Sequence, residues 1–159
     1  MGTLVFAARF ALAVALAYSA AAKVHEGRAL PAQMRAFGIP GSFAVVTAVA
    51  VPALELVIAV SLLGFVDSPV PAFAAIALLA LFTGALLANL ARDDPAPCPC
   101  FGAPAQRPVS ARALVRNGWL LALAVLATDS GERTQNLAVL LVVAVAFAVF
   151  TLYVVRATS

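Results

Sequence analysis

The sequence predicts an all-α polytopic membrane protein, and three observations predict it. Of 159 residues, 64% are hydrophobic and only 11% are charged, whereas soluble globular domains carry roughly 25% charged residues. Five apolar segments reach or approach the about 20 residues that a helix needs to cross a bilayer. Between them lie short stretches rich in the prolines, glycines and charges that end helices. Short connectors between antiparallel helices imply a bundle, here four helices with a fifth on its edge, in a single transmembrane domain over residues 1–159. The net charge of +3, ten Lys/Arg over seven Asp/Glu, is too small and scattered to suggest a nucleic-acid partner. The lipid bilayer is the expected surrounding, in a multi-pass protein of the cell (plasma) membrane.

The first segment covers about 4–22. Its early charge, Arg9, lies inside the apolar run rather than before it, so the segment reads as a retained helix and not as a cleaved signal peptide. The connector 23–42 contains Pro31, Gly38, Pro40 and Gly41 with mixed charges, and leaves room for a short interfacial helix near 32–37. The second segment is 43–65. Asp67-Ser68-Pro69 is a tight turn, and the third segment is 70–90. The stretch 92–108 holds five prolines and is no helix interior. A fourth segment, 111–127, begins with polar residues. The fifth, 137–155, is the most uniformly apolar.

Ionisable residues inside a membrane helix cost about 2.5–3.5 kcal/mol at its centre on insertion scales, and they usually serve a function. Glu55 sits in VPALELVIAV, three residues after Pro52, near the middle of the second segment. Counting from flush helix ends puts Arg9 about 7 Å and Glu55 about 15 Å inside the same face. An Arg9–Glu55 pair is one expectation; an Arg9 that snorkels to the interface is the other.

The opposite face gathers Lys23, His25, Asn89, Cys98, Cys100, Arg116 and Asn117. Cys98 and Cys100 are the only cysteines, in DDPAPCPCFGAPAQRP. A disulfide between them closes a small ring, and strained or exposed disulfides tend to be the labile, catalytic ones. Pro97 and Pro99 stiffen the approach, Phe101 supplies an apolar anchor, and Gly102 permits backbone angles that other residues avoid. Lys23 and Arg116 on the same side would favour a thiolate. Metal binding needs further soft ligands, and with His25 the only histidine the set reaches three at most; no metal is expected. Inert cysteines are the remaining alternative.

The order Arg9, Lys23, Pro52-x-x-Glu55, Cys98-x-Cys100-Phe101-Gly102 and Arg116-Asn117 resembles the MauE/DoxX family of redox-associated membrane proteins, and within it the MauE (methylamine utilisation) branch. The resemblance covers residues 4–127. It implies a DoxX-like four-helix transmembrane bundle, and a thiol–disulfide role beside a thioredoxin-like partner in the maturation of exported proteins, of the methylamine dehydrogenase maturation type. Cys98 and Cys100 match the family's cysteine pair and would act as a thiol–disulfide oxidoreductase. Lys23, Glu55, Phe101, Gly102, Arg116 and Asn117 would support them. No cofactor motif is evident; a quinone is the candidate electron carrier by analogy with other four-helix thiol oxidoreductases. The competing expectation is a non-catalytic scaffold or small-solute permease with incidental cysteines.

Sidedness is contested within the sequence. The cysteine side carries Lys23, Arg28, Arg35, Arg92, Arg107, Arg112, Arg116 and Arg156, and the other side Arg9 and Arg133. That excess points to the cytoplasm, whereas disulfide chemistry favours the extracytoplasmic face. Oligomeric state has no signature in the sequence.

Overall fold

The computed structural model describes residues 3–65, 67–92 and 111–128, and all regular structure among them is helical. The helices are α1 (Thr3–Glu26), α2 (Leu30–Ala36), α3 (Gly41–Gly64), α4 (Val70–Leu90) and α5 (Ala111–Leu126), with a 3₁₀ turn Gly27–Ala29 between α1 and α2. The expected segment 137–155 and the hairpin beyond Arg92 lie outside the described residues. Among the described residues, three helices, α1, α3 and α4, are long and apolar enough to cross a membrane. With 16 residues, α5 extends about 24 Å at 1.5 Å per residue, short of a 30 Å hydrocarbon core.

Local chemistry sets the boundaries. Lys23, His25 and Glu26 continue α1 beyond its apolar run; His25 and Glu26 reach the surface from the helix end without breaking the backbone ladder, while Lys23 turns inward. Gly27, with φ +49°, then ends it in a conformation that other residues avoid. Pro31 falls in the first turn of α2, where a missing N–H costs nothing. At the far end, Gly38 N–H donates to the Arg35 carbonyl at 2.9 Å and Ile39 N–H to the Met34 carbonyl at 3.1 Å. With Gly38 at φ +90°, this is a Schellman closure. Pro40 follows and caps α3. Pro69 and Pro71 open α4 in the same way that Pro31 opens α2.

Burial follows helical spacing. On α1 the buried face runs Ala8, Arg9, Leu12, Ala13, Leu16, Ser19, Ala20, Lys23; on α3 it runs Ala44, Ala48, Pro52, Glu55, Ile58, Ala59, Leu62. The opposite faces remain apolar: Leu4, Phe6, Phe10, Tyr18, Val46, Val49, Val57 and Val60 are all exposed. A helix that is hydrophobic all round belongs in lipid or a large core, and apolar outer faces of this extent suit lipid.

α1 packs chiefly against α3 and also meets α5; α4 packs chiefly against α5 and also meets α3; α2 lies on α3. The main core joins Leu12 and Leu16 of α1, Ile58 and Leu62 of α3, Ala75 and Leu79 of α4, and Leu120 and Ala124 of α5. A second, smaller core pairs Leu86 of α4 with Leu114 of α5 under Phe37 and Leu90. On α4, Thr83 falls between Leu79 and Leu86. On α5, Asn117 falls between Leu114 and Leu120. A polar layer therefore separates the two cores.

Candidate functional site

The polar layer is built from the core-facing stripes of four helices. Ser19 precedes Lys23 by one turn on α1, and both side chains are sealed from the outside. Across from them on α3, Glu55 is 0% exposed. Lys23 Nζ donates to Glu55 Oε1 at 2.7 Å and to Ser19 Oγ. Ser19 Oγ donates to the same Glu55 oxygen at 2.9 Å. The three groups close a triangle in which the hydroxyl both accepts and donates. Glu55 Oε2 has no hydrogen-bond partner among the described residues.

Lys23 has further neighbours. Its ammonium stands 5.2 Å from the centroid of the Phe82 ring, within cation–π range. Arg116 of α5 is close enough to repel it. Asn117 Nδ2 donates to Thr83 Oγ1 at 3.1 Å, and Thr83 Oγ1 donates to the Leu79 carbonyl at 2.7 Å. Asn89, at the end of α4, is also buried.

The structure brings Lys23, Glu55, Arg116 and Asn117 to one layer, with Asn89 buried toward the same end. His25 stays exposed. Cys98, Cys100, Phe101 and Gly102 lie outside the described residues, and so does the expected approach of their hairpin to Lys23. In sequence that segment joins the end of α4 to the start of α5, the end of the bundle on which Lys23 lies. Sequence reasoning gave no role to Ser19 or Thr83. Their signal was position: Ser19 shares the stripe of Leu12, Leu16 and Lys23, and Thr83 lies one turn beyond Leu79.

The expected Arg9–Glu55 pair does not form. Arg9 is 1% exposed and donates to the Phe65 carbonyl at 3.0 Å, the Ser68 carbonyl at 2.8 Å and the Ala127 carbonyl at 3.0 Å. The register that sets Ser19 opposite Glu55 sets Arg9 opposite Phe65, ten residues further along each helix. Ten residues are about 15 Å, beyond the reach of an arginine side chain. The flush helix ends assumed in the depth count are what fail: α3 ends level with Arg9, not with the start of α1. Arg9 instead serves carbonyls at the C-terminal ends of α3 and α5, where helix dipoles favour a cation.

Two hollows border Lys23. One, about 120 Å³, lies between α2, α3 and α4 and is lined among others by Gln33, Met34, Phe37, Thr47 and Phe82. The other, about 580 Å³, is an open groove along α1 and α3 lined mostly by small residues and Pro52. Among the described residues no group of three or more His, Cys, Asp or Glu is placed to hold a metal ion.

A helical assembly with lipid-facing outer surfaces and a sealed ion pair in its polar layer defines a membrane protein with an intramembrane polar site. The chain belongs to the MauE family: the family described as methylamine utilisation protein MauE matches residues 1–129. That membership makes it a membrane protein of the methylamine utilisation type. No curated protein and no solved structure matches the chain.

Proposed function

We propose that this protein is a membrane-embedded thiol–disulfide oxidoreductase. Cys98 and Cys100 exchange electrons with a thioredoxin-like partner during the maturation of exported proteins. The observation that carries this reading is the joining of two features at one end of the bundle. The sole thiols of the chain stand in the segment between α4 and α5, and the polar layer of Lys23, Glu55, Arg116 and Asn117 underlies that end. The cation Arg116 favours a thiolate over a thiol. Glu55 fixes Lys23 in place, and Asn117 ties α5 to α4.

In this reading α1, α3, α4 and α5 form a DoxX-like four-helix transmembrane bundle. The segment 137–155 is a fifth spanning helix of a multi-pass plasma-membrane protein. A quinone takes up or supplies the electrons within the bilayer. The test replaces Cys98 and Cys100 by serine, singly and together. Trapping with an alkylating reagent after acid quench should reveal a mixed disulfide between the remaining cysteine and a thioredoxin-like protein, and the double variant should lose function. Full function in the double variant would leave the cysteines incidental and overturn the reading.

A further inference from the structure

We infer that the open groove along α1 and α3 is the docking site for the segment 137–155 of this same chain, which lies in it as a helix. Such docking presupposes the fifth spanning helix proposed above and is independent of the thiol chemistry. The family match ends at residue 129, so the segment stands outside the matched unit. The 19 residues 137–155 carry no charge, and a helix of that length extends about 28 Å.

The groove has the shape and lining that a helix needs. Its volume is about 580 Å³, and from Val45 to Leu56 it runs about 16 Å along α3, or about three helical turns. Ala17, Ala21 and Val24 of α1 form one wall and Val45, Val49 and Ala53 of α3 the other. No described residue covers it: Ala21, Val24, Val49 and Ala53 are exposed. In a membrane, small side chains let helix backbones approach closely, and close packing drives association. The outer face of α4 instead presents large side chains, Phe73, Leu81 and Leu87. The segment has a matching stripe, Ala144, Ala148 and Thr151, at i, i+4 and i+7. Pro52 lines the groove and has no N–H to give the Ala48 carbonyl one turn earlier. Hydroxyls and neighbouring helices re-satisfy carbonyls freed in this way, and Thr151 carries such a hydroxyl.

Connectivity leads to the same place. Arg9 bonds the Phe65, Ser68 and Ala127 carbonyls, so the start of α1 and the ends of α3 and α5 lie together. Beyond Thr128, the eight residues 129–136 reach up to about 26–29 Å, more than twice the roughly 10–12 Å diameter of the one helix to be passed, α1. The segment then runs parallel to α1 and antiparallel to α3. Arg9 and Phe65 share one level, and Ala21 and Ala53 each stand twelve residues, about 18 Å, beyond it. A segment starting at that level brings Ala148 beside both. A tethered helix also competes at an effective concentration of about the millimolar scale, which favours this chain's own segment over a second copy.

The test uses the full-length Cys98→Ser/Cys100→Ser chain in isolated membranes. Ala53→Cys is paired in turn with Ala144→Cys, Ala148→Cys and Thr151→Cys, and each pair is oxidised with copper phenanthroline. A protease site within 129–136 identifies the product, because a disulfide within one chain keeps the two fragments joined until reduction. At least one pair should give joined fragments at ten times or more the yield found when Leu81→Cys, on the outer face of α4, replaces Ala53→Cys. Ala21→Trp, which fills the groove from an exposed position, should lower that yield at least threefold. Disulfides between two chains would give the groove to a second copy. That result, equal yields at Leu81→Cys, no disulfide in a folded chain, or an unchanged yield in folded Ala21→Trp overturns the docking. Ser159→Cys, probed with an impermeant maleimide, reads the spanning separately. Labelling from the side of Arg35→Cys keeps the fifth spanning helix, so that a failed crosslink removes the docking site alone. Labelling from the side of Asp67→Cys removes the spanning helix and the docking site together.

Discussion

Lys23 and Glu55 hold each other at 2.7 Å with side chains 2% and 0% exposed, so a full ion pair is sealed inside a bundle whose outer faces suit lipid. Burying two charges is expensive, and their mutual attraction offsets the cost only when the geometry is good and the remaining polar atoms are satisfied. Here Ser19 bonds to both partners, while Glu55 Oε2 stays without a partner among the described residues. A pair retained for stability alone would have no use for an open acceptor; a pair that serves a site would.

Removing one member should cost more than removing both. Lys23→Met leaves Glu55 buried and uncompensated, a loss of about 3–5 kcal/mol. Glu55→Leu does the same to Lys23. Glu55→Gln keeps an acceptor for Ser19 and Lys23 and should fall between Glu55→Leu and the parent. The double variant Lys23→Met/Glu55→Leu should recover much of the stability. Thermal melts in detergent of all four variants complete the cycle, and additive losses would show that the pair is not coupled.

Arg9 joins three chain segments through carbonyls of Phe65, Ser68 and Ala127. Hydrogen bonds from a charged group contribute about 1.5–3 kcal/mol each where buried, although the losses do not add fully. Arg9→Ala should therefore destabilise by about 3 kcal/mol or more. Arg9→Lys should recover only part, because a lysine lacks the planar fork that serves several acceptors at once. Proteolysis within 66–69 reports the effect locally, and equal resistance in parent and Arg9→Ala would contradict this role.

Asn117 and Thr83 bind α5 to α4 across the polar layer. Polar contacts between membrane helices average about 0.6 kcal/mol and reach about 1.7. Asn117→Leu is accordingly expected to cost about 1 kcal/mol in a detergent melt, and Thr83→Val no more. A loss several times larger would mean that Asn117 has a structural task beyond this bond.

Helix positions were readable because periodic burial and the Pro–Gly connectors both act locally. Gly38 and Pro40 stop one helix and start the next without help from tertiary contacts. That Glu55 faces a polar partner was readable from cost alone. Its partner was not. Lys23 stands just past the apolar run and looks like a loop charge, yet α1 continues to Glu26 and turns it inward, on the stripe of Leu16 and Ser19. Which residue meets Glu55 depends on the axial offset between α1 and α3, and that offset is set by how Leu12, Leu16, Ile58 and Leu62 interlock. Composition and depth counting carry no information about it. Ser19 was hidden for a related reason, since a lone serine among alanines is marked only by the stripe it occupies.

The same burial changes the meaning of the charge count that bears on sidedness. Lys23 was one of the basic residues whose excess points the cysteine side to the cytoplasm. Its charge is matched by Glu55 inside the bundle, so it is not a loop charge of the kind that sets orientation. Arg116 is partly buried in the polar layer, and on the other side Arg9 is buried too. The basic residues free to decide orientation are fewer than the sequence suggests, and the disulfide chemistry proposed here calls for an oxidising compartment. We therefore predict that Cys98 and Cys100 face the extracytoplasmic side. A membrane-impermeant maleimide added to intact cells, after mild reduction, should label the parent chain and not the Cys98→Ser/Cys100→Ser variant. Labelling should also slow in Arg116→Ala, because loss of that cation disfavours the reactive thiolate. If the cysteines react only after the cells are permeabilised, they lie in the cytoplasm, and the exported-protein maturation role proposed above falls with the orientation.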